Sequence, residues 1–349
     1  MKEIVSHTSM RGIAAFAVMM IHFKGILLPV IEIDRHTAFL VAAVGFVDLF
    51  FMLSGFVLSY CYRKRFLANG VRAELWPFLV NRLGRIYPLH LLTLLIMAAL
   101  ARDQIEMAWI PVLAENLLLI HAWGLQSVFV LNFPSWSISV EWAAYLLFGL
   151  LVILSVGRRF GAGCIVLVIM SYGAYWYLTS MAGVPWERLS LLRGIPAFAL
   201  GIWAYTIYKR ADALPVAIIS ILQILGVVAV ILLMHLNAPL LFLVPAFAVL
   251  VIFTATDRGV LAGFLSWRGF QLLGLLSYSI YMLHVPVWRI SAVFWGKFVG
   301  SPPLEPVPAV LFFLTCVAAT LGSAYLSYHL FEVPMRRLIR RAGRKRVAV

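Results

Sequence analysis

Arg11 and His22 stand eleven residues apart in the apolar run RGIAAFAVMMIH. A neutral imidazole can accept a proton near neutral pH, and a guanidinium offers a planar fork of donors suited to anions. At about 100° per residue, eleven helical steps return to within roughly 20° of the starting direction, so both groups share one face about 16 Å apart along the axis. Such groups are costly in an apolar helix and mark a site facing the protein interior or a water-filled space. Arg82 and Arg85 add two guanidiniums one turn apart in NRLGRIYPLH.

Four further segments place polar groups where lipid cannot satisfy them. GFVDLFFMLSGF carries Asp48 midway along its apolar run, followed by Ser54 and Gly55. FPSWSISVEW sets Ser135, Ser137, Ser139 and Glu141 within two turns, while LGLLSYSIYMLHVPVW holds Tyr278, Tyr281 and His284. HLFEVPMRR ends in Glu332 beside basic residues. Each also has a structural explanation. Asp48 is expected to pair with a buried Arg or Lys, and Glu332 with its basic neighbours. His284 can bond a neighbouring helix carbonyl, the tyrosines can pack with a polar tip, and Glu141 can cap its helix.

These residues must be carried by membrane helices. Of the 349 residues 63% are hydrophobic and 12% charged, with mean hydropathy +0.98, against roughly 25% charged in a soluble domain. The chain is expected to be an all-α, polytopic integral membrane protein. Ten stretches are long enough to cross a core of about 30 Å: near 9–30, 39–61, 83–101, 134–156, 163–181, 191–208, 215–236, 239–256, 271–296 and 306–330. An eleventh apolar patch, 109–123, contains Glu115, Asn116 and His121 and reads as a short interfacial or re-entrant helix. Residues 1–335 form one membrane domain and 336–349 a basic tail.

Charge sets orientation. With both termini cytoplasmic, the inner side receives Lys2, Arg11, the clusters at 63–65, 72, 82 and 85, the pairs at 158–159 and 209–210, Arg258, Arg268 and the seven basic tail residues. That is 21 of the 28 Lys and Arg, as the positive-inside rule requires. The net charge of +14 then reflects contact with anionic lipid, and no nucleic-acid partner is expected. Three cysteines in or beside apolar spans offer neither a disulfide framework nor metal-ligand spacing, so no metal is expected. Counting rise from each end gives an inner level with Arg11, Arg82 and Arg85, and an outer level with His22, His284 and Glu141.

Together these segments resemble the bacterial membrane acyltransferase family often called acyltransferase family 3. The resemblance rests on Arg11 through His22, FFMLSGF at 50–56, RLGRIYP at 82–88, SWSISVE at 135–141, YSIYMLH at 278–284 and FEVP at 331–334, in that order over nearly the whole chain. It implies an enzyme of the bacterial inner membrane that O-acylates carbohydrates or glycolipids outside, using cytoplasmic acyl-CoA, most simply acetyl-CoA, as donor substrate and no resident cofactor. Relatives often carry an additional soluble domain; here a single membrane domain is expected to suffice, and a homo-oligomer is compatible with it. Arg11, Arg82 and Arg85 would hold the CoA phosphates. His22 would be general base or acyl-carrying nucleophile, and Glu141 would orient it or the acceptor. Ser137, Ser139, Tyr281 and His284 would bind the acceptor or the developing oxyanion. Asp48 and Glu332 would be structural. A transporter or flippase of lipid-linked sugars is the competing reading, since it too needs charge at mid-membrane.

Overall fold

The computed structural model describes residues 3–101, 109–300 and 304–339, so part of the basic tail lies outside the described residues. The chain is an all-α membrane protein, with no β-strand among the described residues. The long helices are α1 (Val5–Phe23), α2 (Phe46–Asn69), α3 (Val71–Leu100), α5 (Trp136–Leu154), α6 (Phe160–Ser180), α7 (Ser190–Asp212), α8 (Val216–His235), α9 (Leu240–Thr254), α10 (Arg268–Phe298) and α11 (Pro306–Ser327). A nine-residue helix, α4 (Trp109–Leu117), stands within the 109–123 patch expected to form a short interfacial or re-entrant helix, and is too short to cross. Among the described residues nine helical stretches are long and apolar enough to span a bilayer. The tenth, α9, has 15 residues with Pro245 inside, about 22 Å of rise. With α9 counted as a crossing, the start of α1 and the end of α11 fall on one side.

The expected boundaries of the first span shift inward. The span expected near 9–30 leaves Ser6, His7 and Thr8 outside it, yet these three and Ser9 are all buried in α1. The reason is local: Asp257 accepts the backbone N–H groups of Val5 (3.0 Å) and Ser6 (2.9 Å), capping a helix start that has no partner within the helix. The Ser9 hydroxyl donates to the Leu265 carbonyl at 2.6 Å. Arg11 therefore sits in the second turn of α1 and His22 in its last.

Small residues bring two helix pairs into backbone contact, as membrane packing favours. A methyl group at Gly201 of α7 would meet the Met52 carbonyl oxygen at 2.0 Å, and one at Gly55 of α2 would meet the Phe198 oxygen at 2.1 Å. Gly12 of α1 and Gly274 of α10 oppose each other in the same way, at 2.4 Å from the Gly274 nitrogen and 2.1 Å from the Thr8 oxygen. Gly201→Ala is expected to destabilise the fold by about 1–3 kcal/mol, read as a lower melting temperature in detergent. An unchanged temperature would mean that α2 and α7 separate without cost.

The α2–α7 seam is also where Asp48 goes, as the sequence leads one to expect. Its carboxylate pairs with Arg193 of α7 (2.5 Å) and accepts the Tyr172 hydroxyl of α6 (2.7 Å). Asp48 and Arg193 are 0% and 1% exposed, so the pair ties three helices inside the bundle. Glu332 differs from expectation. It is buried in a π-helical turn, Tyr328–Glu332, that ends α11, and its carboxylate accepts the Ser279 hydroxyl at 3.1 Å. No cation lies within ion-pair distance of it among the described residues.

Candidate active site

Helices α1, α2, α3, α5 and α10 enclose a cavity of about 310 Å³. Arg11, Arg82 and Arg85 stand on its wall, with Cys61. Phe50, Ser137 and Tyr281 also line it. Along α2 the lining runs from Phe50 to Cys61, eleven residues or about 16 Å of helical rise. The space is a slot, with its basic part at the end where α2 finishes and α3 begins.

None of the three guanidiniums has a carboxylate partner within 4 Å among the described residues. Arg11 donates to the Thr8 hydroxyl at 3.4 Å, a long contact, and Arg82 to the Tyr62 hydroxyl at 3.3 Å while lying over that ring at 5.5 Å. The Nε groups of both are buried without a hydrogen-bond partner. A buried donor left unmade is costly. Three cations converging on one slot with donors to spare make a binding site for a multiply charged anion.

Glu141 is the single carboxylate on this wall, which corrects its expected placement beside His22. Counting turns from the outer surface fixed its depth but not its bearing. Its Oε1 accepts hydrogen bonds from Ser54 (2.7 Å) and from Tyr145 (2.5 Å), one helical turn further along α5. The Ser54 hydroxyl is thus engaged by the Glu141 carboxylate. Tyr278 also lines the slot, and its hydroxyl donates to the Ile86 carbonyl.

The slot stops at Phe50 and Tyr281, whose rings meet edge to face at 5.7 Å. Beyond them, three residues further along α10, stands the histidine pair. His22 Nδ1 and His284 Nε2 are 2.7 Å apart and their ring planes differ by 10°. His284 Nδ1 lies 3.3 Å from the Ile280 carbonyl, which can only accept, so that nitrogen carries a proton. Neutral His284 then accepts at Nε2 and His22 donates from Nδ1. His22 Nε2 is left with its lone pair free.

The outer level therefore gathers His22 and His284 but not Glu141, and His284 contacts the His22 imidazole rather than open space. Two other assignments change. Ser139 is wholly buried; its oxygen accepts the Ala122 N–H at 3.1 Å and donates to the Leu119 carbonyl at 2.8 Å. It clasps the connection that follows α4, and no hydroxyl is left for an acceptor. Ser137 donates to the Tyr281 hydroxyl and Tyr281 to the Pro134 carbonyl, both at 2.9 Å, so neither proton is free for an oxyanion in this arrangement. Two partners escaped sequence reading, Tyr145 and Arg193. Tyr145 lies four residues from Glu141 and so on the same helix face; Arg193 is an isolated charge inside a span.

Residues 7–329 match a protein-family model described as an acyltransferase domain. The chain belongs to that acyltransferase family. A 112-residue stretch of this acyltransferase, 30% of its length, is 36% identical to 27% of "Acyltransferase MdmB" of Streptomyces mycarofaciens. A shorter stretch of 53 residues, 15% of the chain, is 47% identical to 27% of "Protein 2 in picA locus" of Rhizobium radiobacter. The chain thus matches about a quarter of the length of each curated relative. No solved structure matches the acyltransferase.

Proposed function

We propose that this acyltransferase moves an acyl group, acetyl in the simplest case, from acyl-CoA bound on the cytoplasmic side of a bacterial inner membrane to a hydroxyl of a carbohydrate or glycolipid outside. The observation that carries this reading is the slot itself, with three unpaired guanidiniums at one end and an oriented imidazole just past the other. Arg11, Arg82 and Arg85 suit the phosphates of CoA. A pantetheine arm, roughly 15 to 18 Å when extended, fits a slot whose α2 wall rises about 16 Å. The thioester would then reach Phe50 and Tyr281.

In the proposed step His22 Nε2 takes the proton of the acceptor hydroxyl as its oxygen attacks the thioester carbonyl. The C–S bond breaks, the ester forms, and the departing CoA sulfur takes the proton from His22. Direct attack needs one transfer and is preferred over an acyl-histidine, which needs two. Glu141 acts on the donor side, as a fixed counter-charge among the arginines. Transfer at His22 requires the Phe50–Tyr281 contact to open, so Tyr281 releases its bond to Pro134 in the working complex.

Two measurements test the donor assignment. Cys61 lines the slot, so acetyl-CoA should slow its alkylation by a maleimide, and equal rates with and without acetyl-CoA would remove CoA from the slot. Arg11→Ala should cost about 1.5–3 kcal/mol of CoA binding, a weakening of about 10- to 150-fold by calorimetry. Unchanged affinity would make Arg11 a structural residue.

A further inference from the structure

A second cavity, of about 330 Å³, lies at the opposite end of the helices from the arginines. It is formed where the last turns of α6 meet the α8–α9 connection and the residues leading into α2. Tyr172, Tyr175 and Trp176 supply three aromatic rings, and Thr179, Ser180 and Asn237 supply the polar rim. Trp176 is 46% exposed. Among the described residues the Ser180 hydroxyl and the Asn237 amide make no side-chain hydrogen bond within the protein, since the rim's internal bonds come from Thr179.

The chemistry of this wall is selective. No charged residue lines it, and behind Tyr172 the Asp48 and Arg193 charges are paired with each other. No uncompensated cation is offered to a phosphate and no carboxylate to an amine. Aromatic faces are electron-rich and suit the C–H faces of a sugar ring, while an amide and a hydroxyl suit its hydroxyl groups. A concave, mostly apolar site with a few polar groups at the rim is the general form of a small-ligand pocket. The neutral saccharide is the ligand class that uses all of these features together.

The cavity is linked to the arginine slot through Arg193 and Trp136. The Arg193 guanidinium lies 5.7 Å from the Tyr175 ring and 5.0 Å from the Trp136 ring. Trp136 begins α5 immediately before Ser137, which lines the arginine slot.

We propose that this cavity is a saccharide-binding subsite. It holds one sugar of a neutral glycan, free or lipid-borne, while another residue of the same chain presents its hydroxyl at His22; the second half of this statement rests on the carbohydrate acceptor proposed above. Binding is measured by calorimetry on the full chain in lipid nanodiscs, which avoids sugar-headed detergents. The probes are maltotriose, cellotriose and triacetylchitotriose, each free and as a long-chain alkyl glycoside placed in the bilayer. At least one should bind the wild type, and Trp176→Ala or Asn237→Ala should weaken it at least tenfold. Trp176→Tyr should retain most of the affinity, and Trp267→Ala, an exposed tryptophan at the start of α10, should change nothing. A preference for the glycosides over the free sugars identifies a lipid-borne ligand. Absence of binding by all six probes, or equal binding by Trp176→Ala, overturns the subsite. CoA release from acetyl-CoA with the same probes separates the two readings. Binding that depends on Trp176 without release keeps the subsite and removes the carbohydrate acceptor. Release with a KM unaltered by Trp176→Ala does the reverse.

Discussion

His22→Ala is expected to lower kcat for CoA release by about 10²–10⁴-fold, the usual contribution of a positioned general base, while acyl-CoA still binds at the arginine end. The separation follows from the structure, because His22 is not among the residues lining the slot. The His22–His284 contact at 2.7 Å adds a second expected result. His284→Phe keeps a ring but removes the acceptor that fixes the His22 tautomer. It should lower kcat by about 2- to 10-fold, the worth of one hydrogen bond of about 0.5–1.5 kcal/mol, with CoA affinity unmoved. Single-turnover measurements with acetyl-CoA read both. Wild-type turnover by His22→Ala would end its role as base and shift attention to Glu141.

Asp48→Ala carries the largest expected effect on stability. Removing the carboxylate leaves the Arg193 guanidinium buried without its counter-charge, and breaking a buried pair from one side costs about 3–5 kcal/mol. The Tyr172 hydroxyl loses an acceptor as well. The variant should lose most of its folded population in detergent, followed by size exclusion and thermal unfolding. Asp48→Leu combined with Arg193→Met should recover much of the loss, because no charge remains to be desolvated. If the single and double variants melt together, the pair is not what ties α2 to α7.

Those two sites differ in how far the sequence discloses them. Arg11 and His22 are legible because helix period and rise act on one continuous segment, and both numbers survive folding. The arginines at 82 and 85 are legible for the same reason. Asp48 announces a buried cation but not which one, since Arg193 lies 145 residues away and helix adjacency leaves no local period. Glu141 shows the limit from another side. Rise gives a residue its depth, whereas its bearing depends on how α5 packs against α2. Ser139 was out of reach because the connection after α4 folds back onto α5 through backbone groups that carry no sequence signature. The start of α1 lies before the expected 9–30 span because Asp257, 252 residues away in sequence, caps it, a contact with no local signal.

The edge-to-face contact of Phe50 with Tyr281 has a meaning for the cell as well as for the substrate. In the proposed orientation, a polar slot entered from the cytoplasm and a histidine pair reached from outside would, if joined, offer protons and ions a path down the membrane potential. Moving one charge through 100 mV releases about 2.3 kcal/mol, so even a narrow aqueous thread would drain energy continuously. Two interlocked rings, one of them latched through its hydroxyl to Pro134, stand between slot and histidine pair and would keep that path shut. On the proposed reading, the acyl group would cross as a neutral passenger through an opening that shuts behind it.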